Sequence, residues 1–510
     1  MALGRSFSVS LVGLDGHVVE IEADLAQGLP CVTLTGLPDT SVGEARDRVR
    51  AALVNSGFTW PSARIVLGLS PASLPKRGSA FDLALASAIL AADGLVSSQR
   101  TQGVVMLGEL GLDGTVRPVA GVLPGVLTAA RAGFRVVVVP ESNLAEARLL
   151  PDVEAVGVSR LTELVAWLRD ELPRARTSQL VLPQDPPRDV PDMVDVAGQV
   201  TGRTAMEVVA AGGHHALMLG PPGSGKTMCA ARLPGLLPPL ALDQALEVTA
   251  IHSVAGVLPV SQPLVRWAPF QSPHHGATTA SIIGGGSGIA RPGAASLAHH
   301  GVLFLDEAPE FAAGVLDALR QPLESGELSI TRVGGTATYP ARFTLVLAAN
   351  PCPCGKELKD CTCPPDRRRR YLAKLSGPLL DRIDLHVDVP RITRAEIMSE
   401  GGRGEPSAAI AARVAHARSR ALERLAGTPW RVNGQVPVPV LRERWPLDRA
   451  AMKPLEAALD TGALTARGFG RVLRVAWTLS DLLDAGTPGQ EHVAMALGFR
   501  LGERGVGVAA

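Results

Sequence analysis

Gly220–Thr227 reads G-P-P-G-S-G-K-T and Val302–Glu307 reads V-L-F-L-D-E. The first run is a G-x-x-x-x-G-K-T loop, whose glycines allow backbone N–H groups to curl around a polyphosphate. In this pattern Lys226 reaches the outer phosphates and Thr227 takes a place on Mg²⁺, with Gly220, Pro221, Pro222, Gly223, Ser224, Gly225 and Met228 completing the cradle. An apolar strand, Ala216 to Leu219, precedes the loop and a helical pattern from Thr227 to Leu233 follows it, the context that a phosphate loop requires. The four apolar residues of the second run predict a strand buried on both faces. It ends in Asp306, suited to the Mg²⁺ shell, and Glu307, suited to polarising an attacking water. ATP and Mg²⁺ are the cofactors that this pair of motifs predicts.

Fifty basic against 49 acidic side chains leave a formal charge of +1. No global field draws the chain to nucleic acid, so such affinity has to come from local patches. Mean hydropathy is +0.19, yet no apolar run approaches the roughly 18 residues of a membrane helix. The start, M-A-L-G-R-S-F-S, has neither the apolar run nor the cleavage site of a signal peptide. A soluble cytoplasmic protein with no membrane partner is expected.

The length suits three domains. Across residues 1–175 short apolar strands (Val9 to Val12, Val18 to Ile21, Cys31 to Leu34, Ile65 to Leu69, Val104 to Leu107, Val136 to Val139) alternate with helical patterns (Thr40 to Asn55, Ser79 to Ala91, Val122 to Ala132), which predicts an α/β domain. Asp113-Gly114 marks a hairpin. Residues 176–192 are proline-rich and aperiodic, a semi-rigid linker. Residues 193–392 hold the triphosphate motifs, and 393–510 read as helical with Arg-rich faces, as in Ala408 to Leu425.

Other parts of an AAA+ core follow by position. Thr344 to Ala349 is an apolar strand ending at Asn350, placed to orient the attacking water as a sensor 1 residue. Before it, Glu327 to Arg342 carries Gly334-Gly335 between two β-prone runs, a predicted hairpin inserted ahead of sensor 1. In L-S-G-P-L-L-D-R-I-D-L-H, Arg382 ends a helix that leads into a strand, the place for an arginine finger completing a neighbouring subunit's site; an ion pair with Asp381 or Asp384 is the alternative. Arg467, Arg471 and Arg474 lie on one C-terminal helix, and one of them is expected to be sensor 2.

The strings F-Q-S-P-H-H-G, I-I-G-G-G, R-P-G-A-A-S-L-A-H-H-G-V-L-F-L-D-E, L-R-Q-P-L-E-S-G, N-P-C-P-C-G and K-L-S-G-P-L-L-D-R-I-D-L-H, with G-L-P-D-T-S-V-G-E-A-R-D-R-V-R-A-A-L and L-P-K-R-G-S-A-F-D-L-A-L-A nearer the start, resemble the YifB/ComM family of magnesium-chelatase-like AAA+ ATPases over nearly the whole chain. The resemblance implies a multidomain α/β fold: an N-terminal Lon-like (ribosomal S5 domain 2-like) α/β domain, a central AAA+ P-loop core and a C-terminal helical lid. It also implies a homo-hexameric, ATP-driven DNA motor that promotes branch migration of recombination intermediates, as in natural transformation, acting on single-stranded, forked or branched DNA without sequence preference. Its chelatase pattern favours Arg474 over Arg471 as sensor 2. Where the family reads P-G-E-I-S-L-A-H, this chain has Ala294-Ala295. The competing class is a chelatase-type or chaperone-type motor that remodels a protein partner.

A Lon-like domain raises peptidase chemistry, which needs a Ser activated by a Lys. Lys76 lies in the segment corresponding to the Ser motif, and Leu123 stands about where the base would be. A binding or scaffold role is therefore expected, not proteolysis. Cys352, Cys354, Cys361 and Cys363 form C-x-C-x₆-C-x-C on a turn-rich loop, suited to a closed tetrahedral Zn²⁺ site, with free thiols or disulfides as alternatives. Cys31 and Cys229 read as small buried hydrophobes. The pairs His214-His215, His274-His275 and His299-His300 are expected to point apart as neighbours do, and so not to hold metal. Candidate DNA contacts are Arg332 near the hairpin tip, Arg342 at its base, the 270–292 insert and the Arg367 to Arg370 run. With 4% aromatics no stacking platform is visible, which points to backbone rather than base contacts.

Overall fold

Strands that must be buried on two faces carry unbroken apolar runs, and the central sheet is built from such runs: Ala216–Leu219, Val302–Leu305 and Thr344–Ala349. The computed structural model describes residues 3–502 except 37–38, 77, 172–189, 287–289, 333–334, 357–360 and 394–403. Most of the 176–192 linker therefore lies outside the described residues, as does the end of the G-G-G-S-G run. The central sheet is parallel, in the order Phe270–Gln271, Val302–Leu305, Thr344–Ala349, Ala216–Leu219, Leu385–Asp388. Helices Val200–Gly212 and Lys226–Leu236 pack against it, and the C-terminal helices Ser407–Arg424, Arg449–Asp460, Ala466–Leu482 and Gln490–Leu501 share one apolar core with them.

The N-terminal unit is a seven-stranded mixed sheet ordered Cys31–Thr35, Arg64–Ser70, Asp15–Ala26, Gly4–Val12, Val104–Met106, Val136–Pro140, Glu154–Val158. Helix Asp82–Ala92 is buried along its whole length, and its alanines let it lie close to the first strand: a Cβ on Gly4 would sit 2.0 Å from the Ala88 carbonyl oxygen. Asp82 ties this helix to its neighbours by accepting from Arg48 at 2.8 and 3.0 Å and from the Leu110 amide at 3.1 Å. The hairpin marked by Asp113-Gly114 is present as Glu109–Leu110 against Val116–Arg117. Strand Glu154–Val158 and helix Leu161–Leu168 were not anticipated from the residues. Cys31 is a correction: it is exposed, because its strand is the sheet's edge, whereas Cys229 is buried as expected.

The segment Val119–Leu127, where a peptidase base would have been sought, docks on the ATPase-like core. Gly121 N–H donates to Ser253 Oγ at 3.0 Å, Ser253 donates on to Glu146, and the Leu123 amide donates to the same carboxylate at 2.7 Å. Leu123 and Leu149 pack with Ala245, Ala250 and Leu264, extending the contact along helix Leu242–Ala255. Lys76 is buried, its ammonium donating to the Pro71 carbonyl.

At the amino ends of the central strands lies a polar knot. Buried Asp384 accepts from the His215 amide at 3.0 Å and from Arg471 at 3.1 Å, and His215 Nδ1 accepts from the Leu345 amide at 3.0 Å. Burial pushes His215 down to about 4, against the opposing pull of Asp384, and does the same to His300 and His386. These rings are neutral in the fold and basic near pH 6.5 when unfolded, so the unfolded state binds more protons as pH falls. Their contribution is complete above roughly pH 6.5 and is lost toward pH 4, about 2 kcal/mol per ring by pH 5. Thermal unfolding should show this acid slope, and His215→Gln, which still offers an acceptor to Leu345, should flatten it; an equal slope in the variant would remove His215 from the cause.

Candidate active site

Helix Lys226–Leu236 starts directly after two glycines in left-handed conformations, Gly223 at φ 75° and Gly225 at φ 88°. That geometry wraps the loop and leaves the helix's first amides without intrahelical partners, facing the cavity that the loop encloses. The cavity holds about 310 Å³ and is lined by Pro222 to Met228, Asp306, Glu307, Ala349 and Asn350. Gly220 has no room for a side chain, since a Cβ would lie 2.1 Å from the Val389 carbonyl oxygen. Buried Ser224 Oγ has no hydrogen-bond partner among the described residues, which leaves the loop an uncommitted hydroxyl.

Lys226 Nζ donates to the carbonyls of Gly220 at 2.7 Å and Pro221 at 2.9 Å and to Asn350 Oδ1 at 3.3 Å. Desolvation lowers its pKa, opposed by Asp306 and Glu307, and a polyphosphate would replace those carbonyls with full charges. Thr227 Oγ1 donates to Asp306 Oδ2 at 2.6 Å, which brings together the two groups expected to share Mg²⁺. Glu307 follows in the left-handed region at φ 50°, its amide capped by Asp306 Oδ1 at 2.9 Å. The unpaired amides, the glycine cradle and the hydroxyl–carboxylate pair fit ATP with Mg²⁺.

Four arginines predicted as site residues lie outside this lining. Arg382 donates to Glu324 and to the Pro378 carbonyl, so the alternative pairing with Asp381 or Asp384 is not the one formed: those carboxylates bind Arg467 at 2.8 Å and Arg471 at 3.1 Å. Arg474 is half-buried and donates to the Val436 carbonyl at 2.7 Å. Arg332 is exposed on the hairpin Glu327–Arg332/Gly335–Pro340, and Arg342 is exposed at its base.

Cys352, Cys354, Cys361 and Cys363 converge, with Sγ–Sγ distances of 3.4, 3.6 and 3.3 Å for the pairs 352/354, 354/361 and 352/361. These exceed the ~2.05 Å of a disulfide and approach the ~3.8 Å edge of a tetrahedron with 2.3 Å Zn–S bonds. The loop abuts the phosphate loop, since a Cβ on Gly355 would come within 2.9 Å of Pro222.

Two of the three histidine pairs depart from expectation. His299 and His300 do not point apart: their rings lie 4.0 Å from each other and both Nε2 atoms meet Glu247, at 3.1 and 2.9 Å. The left-handed backbone of His300, φ 54°, brings this about. The Arg342 amide donates to His299 Nδ1 at 3.0 Å, so Nε2 carries the proton and gives it to Glu247. A cation on that Nε2 would demand the other tautomer and set N–H against N–H, so the cluster is accounted for by hydrogen bonds. His274 and His275 likewise stack at 4.0 Å, and His275 Nδ1 lies 3.3 Å from Glu307 Oε2, a contact that the residue pattern did not reveal.

Phosphate loop, Asp-Glu strand and sensor strand at the carboxyl edge of one parallel sheet, with a hairpin inserted before the sensor, define an AAA+ ATP-binding core. Family models described as "Magnesium chelatase, subunit ChlI" match residues 192–397, "Subunit ChlI of Mg-chelatase" residues 21–143, and "Magnesium chelatase, subunit ChlI C-terminal" residues 404–500. An uncharacterised Mycobacterium tuberculosis protein is 52% identical over 98% of this chain and 99% of its own. YifB of Escherichia coli, also uncharacterised, is 38% identical over 99% of this chain and 98% of its own, and competence protein ComM of Haemophilus influenzae is 39% identical over 98% of each. The chain belongs to the YifB/ComM family of magnesium-chelatase-like AAA+ proteins.

If Lys226 serves binding and Glu307 hydrolysis, Lys226→Ala should lose both nucleotide binding and turnover. Glu307→Gln should bind ATP as tightly as the unmodified protein and hydrolyse it at least ~100-fold more slowly. Nucleotide titration beside steady-state ATPase rates checks both, and normal turnover by Glu307→Gln would move the hydrolytic role elsewhere.

Proposed function

We propose that the protein is an ATP-driven DNA motor that works as a homo-hexamer, moving on single-stranded, forked or branched DNA and driving branch migration of recombination intermediates. The observation that carries this reading is the hairpin bearing exposed Arg332, which leads into the strand ending at Asn350 and so joins a basic grip to the γ-phosphate end of the site. Likeness to a competence protein along the full chain supports the same process, uptake and recombination of incoming DNA.

In this reading the loop Gly220 to Met228 would hold ATP, and Thr227 and Asp306 would hold Mg²⁺, whose charge would screen the phosphates; Glu307 is placed to orient and deprotonate water and Asn350 to fix that water. Arg382 leaves Glu324 on assembly and reaches the neighbouring subunit's nucleotide, while Arg474 acts as sensor 2 when the helical region, a lid over the nucleotide, shifts. The N-terminal unit is a Lon-like scaffold without peptidase activity, consistent with a buried Lys76 and with Leu123 packed at the domain contact. No helix among the described residues is long and apolar enough to cross a membrane; we place the work in the cytoplasm, where the DNA substrate and reduced thiols are found.

Zn²⁺ is assigned to Cys352, Cys354, Cys361 and Cys363, bracing the loop beside Asn350. Elemental analysis should give one zinc per chain, and Cys352→Ser with Cys354→Ser should lose the metal and lower ATPase activity. Reduced protein free of zinc would refute the site.

Because the grip is electrostatic, affinity should fall steeply with salt and show little sequence preference. With ATP and Mg²⁺ at low salt, the protein should resolve a four-way junction into duplexes on a gel, and Arg332→Ala should slow this roughly tenfold or more while basal ATPase survives. Intact junctions, with ATPase indifferent to every DNA, would favour the protein-remodelling motor.

A further inference from the structure

A two-stranded hairpin is marginally stable in water unless one of its faces is covered. Strands Glu327–Arg332 and Gly335–Pro340 pair with each other and, among the described residues, with no further strand. Their two faces differ. On the more exposed one, hydroxyls pair across the strands, Ser329 with Thr338 at 3.1 Å and Thr331 with Thr336 at 3.0 Å. On the other, Leu328, Ile330, Ala337 and Tyr339 are buried.

Side chains from three segments close over that buried face. Ala290 joins the cluster of Ile330, Ala337 and Tyr339, and its carbonyl accepts from the Tyr339 hydroxyl at 2.7 Å. Val254, near the end of helix Leu242–Ala255, packs on the same cluster. The third contributor comes from the N-terminal unit: it is Leu14.

Leu14 sits at the tip of a long ribbon. Strands Gly4–Val12 and Asp15–Ala26 pair without a break from Gly4 opposite Ala23 to Val12 opposite Asp15, which leaves Gly13 and Leu14 as a two-residue turn. Gly13 has φ 69°, which such a turn needs, and it is pressed against the hairpin: a Cβ there would lie 3.2 Å from the Thr338 carbonyl oxygen and 3.3 Å from Ala337 Cβ. Val12 carries the contact outward, with its Cγ1 3.9 Å from where a Cβ on Gly335 would stand, and Gly335 is the residue paired with Arg332. Leu14 packs in addition with Leu123, Leu149 and Ala245, so it joins the hairpin to the contact between the two units. A ribbon built into a seven-stranded sheet yields less readily than a hairpin of two strands, so the ribbon tip sets where the hairpin rests.

We propose that Leu14 is a positioning residue for the DNA grip: the N-terminal ribbon holds the Arg332 hairpin at the height where its guanidinium meets a phosphate backbone. The proposal rests on the reading of the protein as a DNA motor, and it gives the N-terminal unit a mechanical part in that work. The Leu14 side chain has no polar atom to offer DNA and lies outside the nucleotide cavity, so its effect has to pass through the hairpin.

The test uses the full chain, unmodified and as Leu14→Ala, Leu14→Met and Leu149→Ala. Leu149 belongs to the contact between the units but not to the hairpin cluster, so its truncation loosens the same interface away from the grip. Leu14 is only partly buried, so folding should survive its truncation. Without DNA, hydrogen exchange read by mass spectrometry should show the amides of 327–332 and 335–340 exchanging at least about fivefold faster in Leu14→Ala. Leu14→Met should stay near the unmodified rate, and Leu149→Ala should leave those amides unchanged. Fluorescence anisotropy with a labelled DNA fork at low salt should show Leu14→Ala binding about fivefold more weakly, while basal ATPase and KM for ATP hold. In an Arg332→Ala background the same truncation should cost little further affinity, because both changes act on one contact. Hairpin exchange that is unaltered by Leu14→Ala, or accelerated equally by Leu149→Ala, overturns the proposal. So does a Leu14→Ala variant with a loosened hairpin and the fork affinity of an unmodified protein that binds DNA. An unmodified protein that binds no fork, with hairpin exchange raised by Leu14→Ala alone, would instead refute the DNA motor and keep the ribbon as the hairpin's support.

Discussion

The parallel register of the central sheet is the constraint from which the site follows. Leu219 lies opposite Ala349 and Leu305 opposite Leu347, so the residues that leave these strands, Gly220, Asp306 and Asn350, emerge at one edge within reach of Lys226 and Thr227. The polar knot of Asp384, His215 and Arg471 fixes the opposite ends of the same strands. A slip of one strand would separate hydroxyl, ammonium and carboxylate and also break the knot, so fold and site are specified by one set of backbone bonds.

Much of this was legible in the residues because the information is local. A phosphate loop needs glycines where φ is positive, and Gly223 and Gly225 supply them. Apolar runs gave the strands, and Gly334-Gly335 gave the hairpin. What stayed hidden depends on pairing between distant segments. His275 meets Glu307 only through an edge strand two residues long, too short to announce itself. His299 and His300 converge because one backbone angle is left-handed at a residue that is not glycine. Cys31 looked buried because its strand is apolar enough; only the strand order shows it at the edge. Glu154–Val158 begins with an acid and contains a glycine, which masks its β character.

Arginine placement shows a division of labour. Arg48, Arg424 and Arg471 are spent on buried carboxylates, at Asp82, Asp481 and Asp384, and hold elements together. Arg332, Arg342 and most of the 367–370 run face solvent, with Arg369 paired to Asp366 at the surface. Near-zero net charge is therefore compatible with a local basic surface, since the structural arginines are neutralised inside.

The contact between the N-terminal unit and the core has a consequence for how the chain tolerates being cut. Glu146 is buried there with three hydrogen-bond donors around it, flanked by leucines from both sides, and the turn at Gly13 and Leu14 reaches the Arg332 hairpin as well. Parting the two units would expose that apolar surface and strip a carboxylate of its donors. Backbone scission between residues 172 and 189 breaks none of these interactions, so the two fragments should remain associated and co-purify, and the halves could be supplied as separate polypeptides that reconstitute one particle.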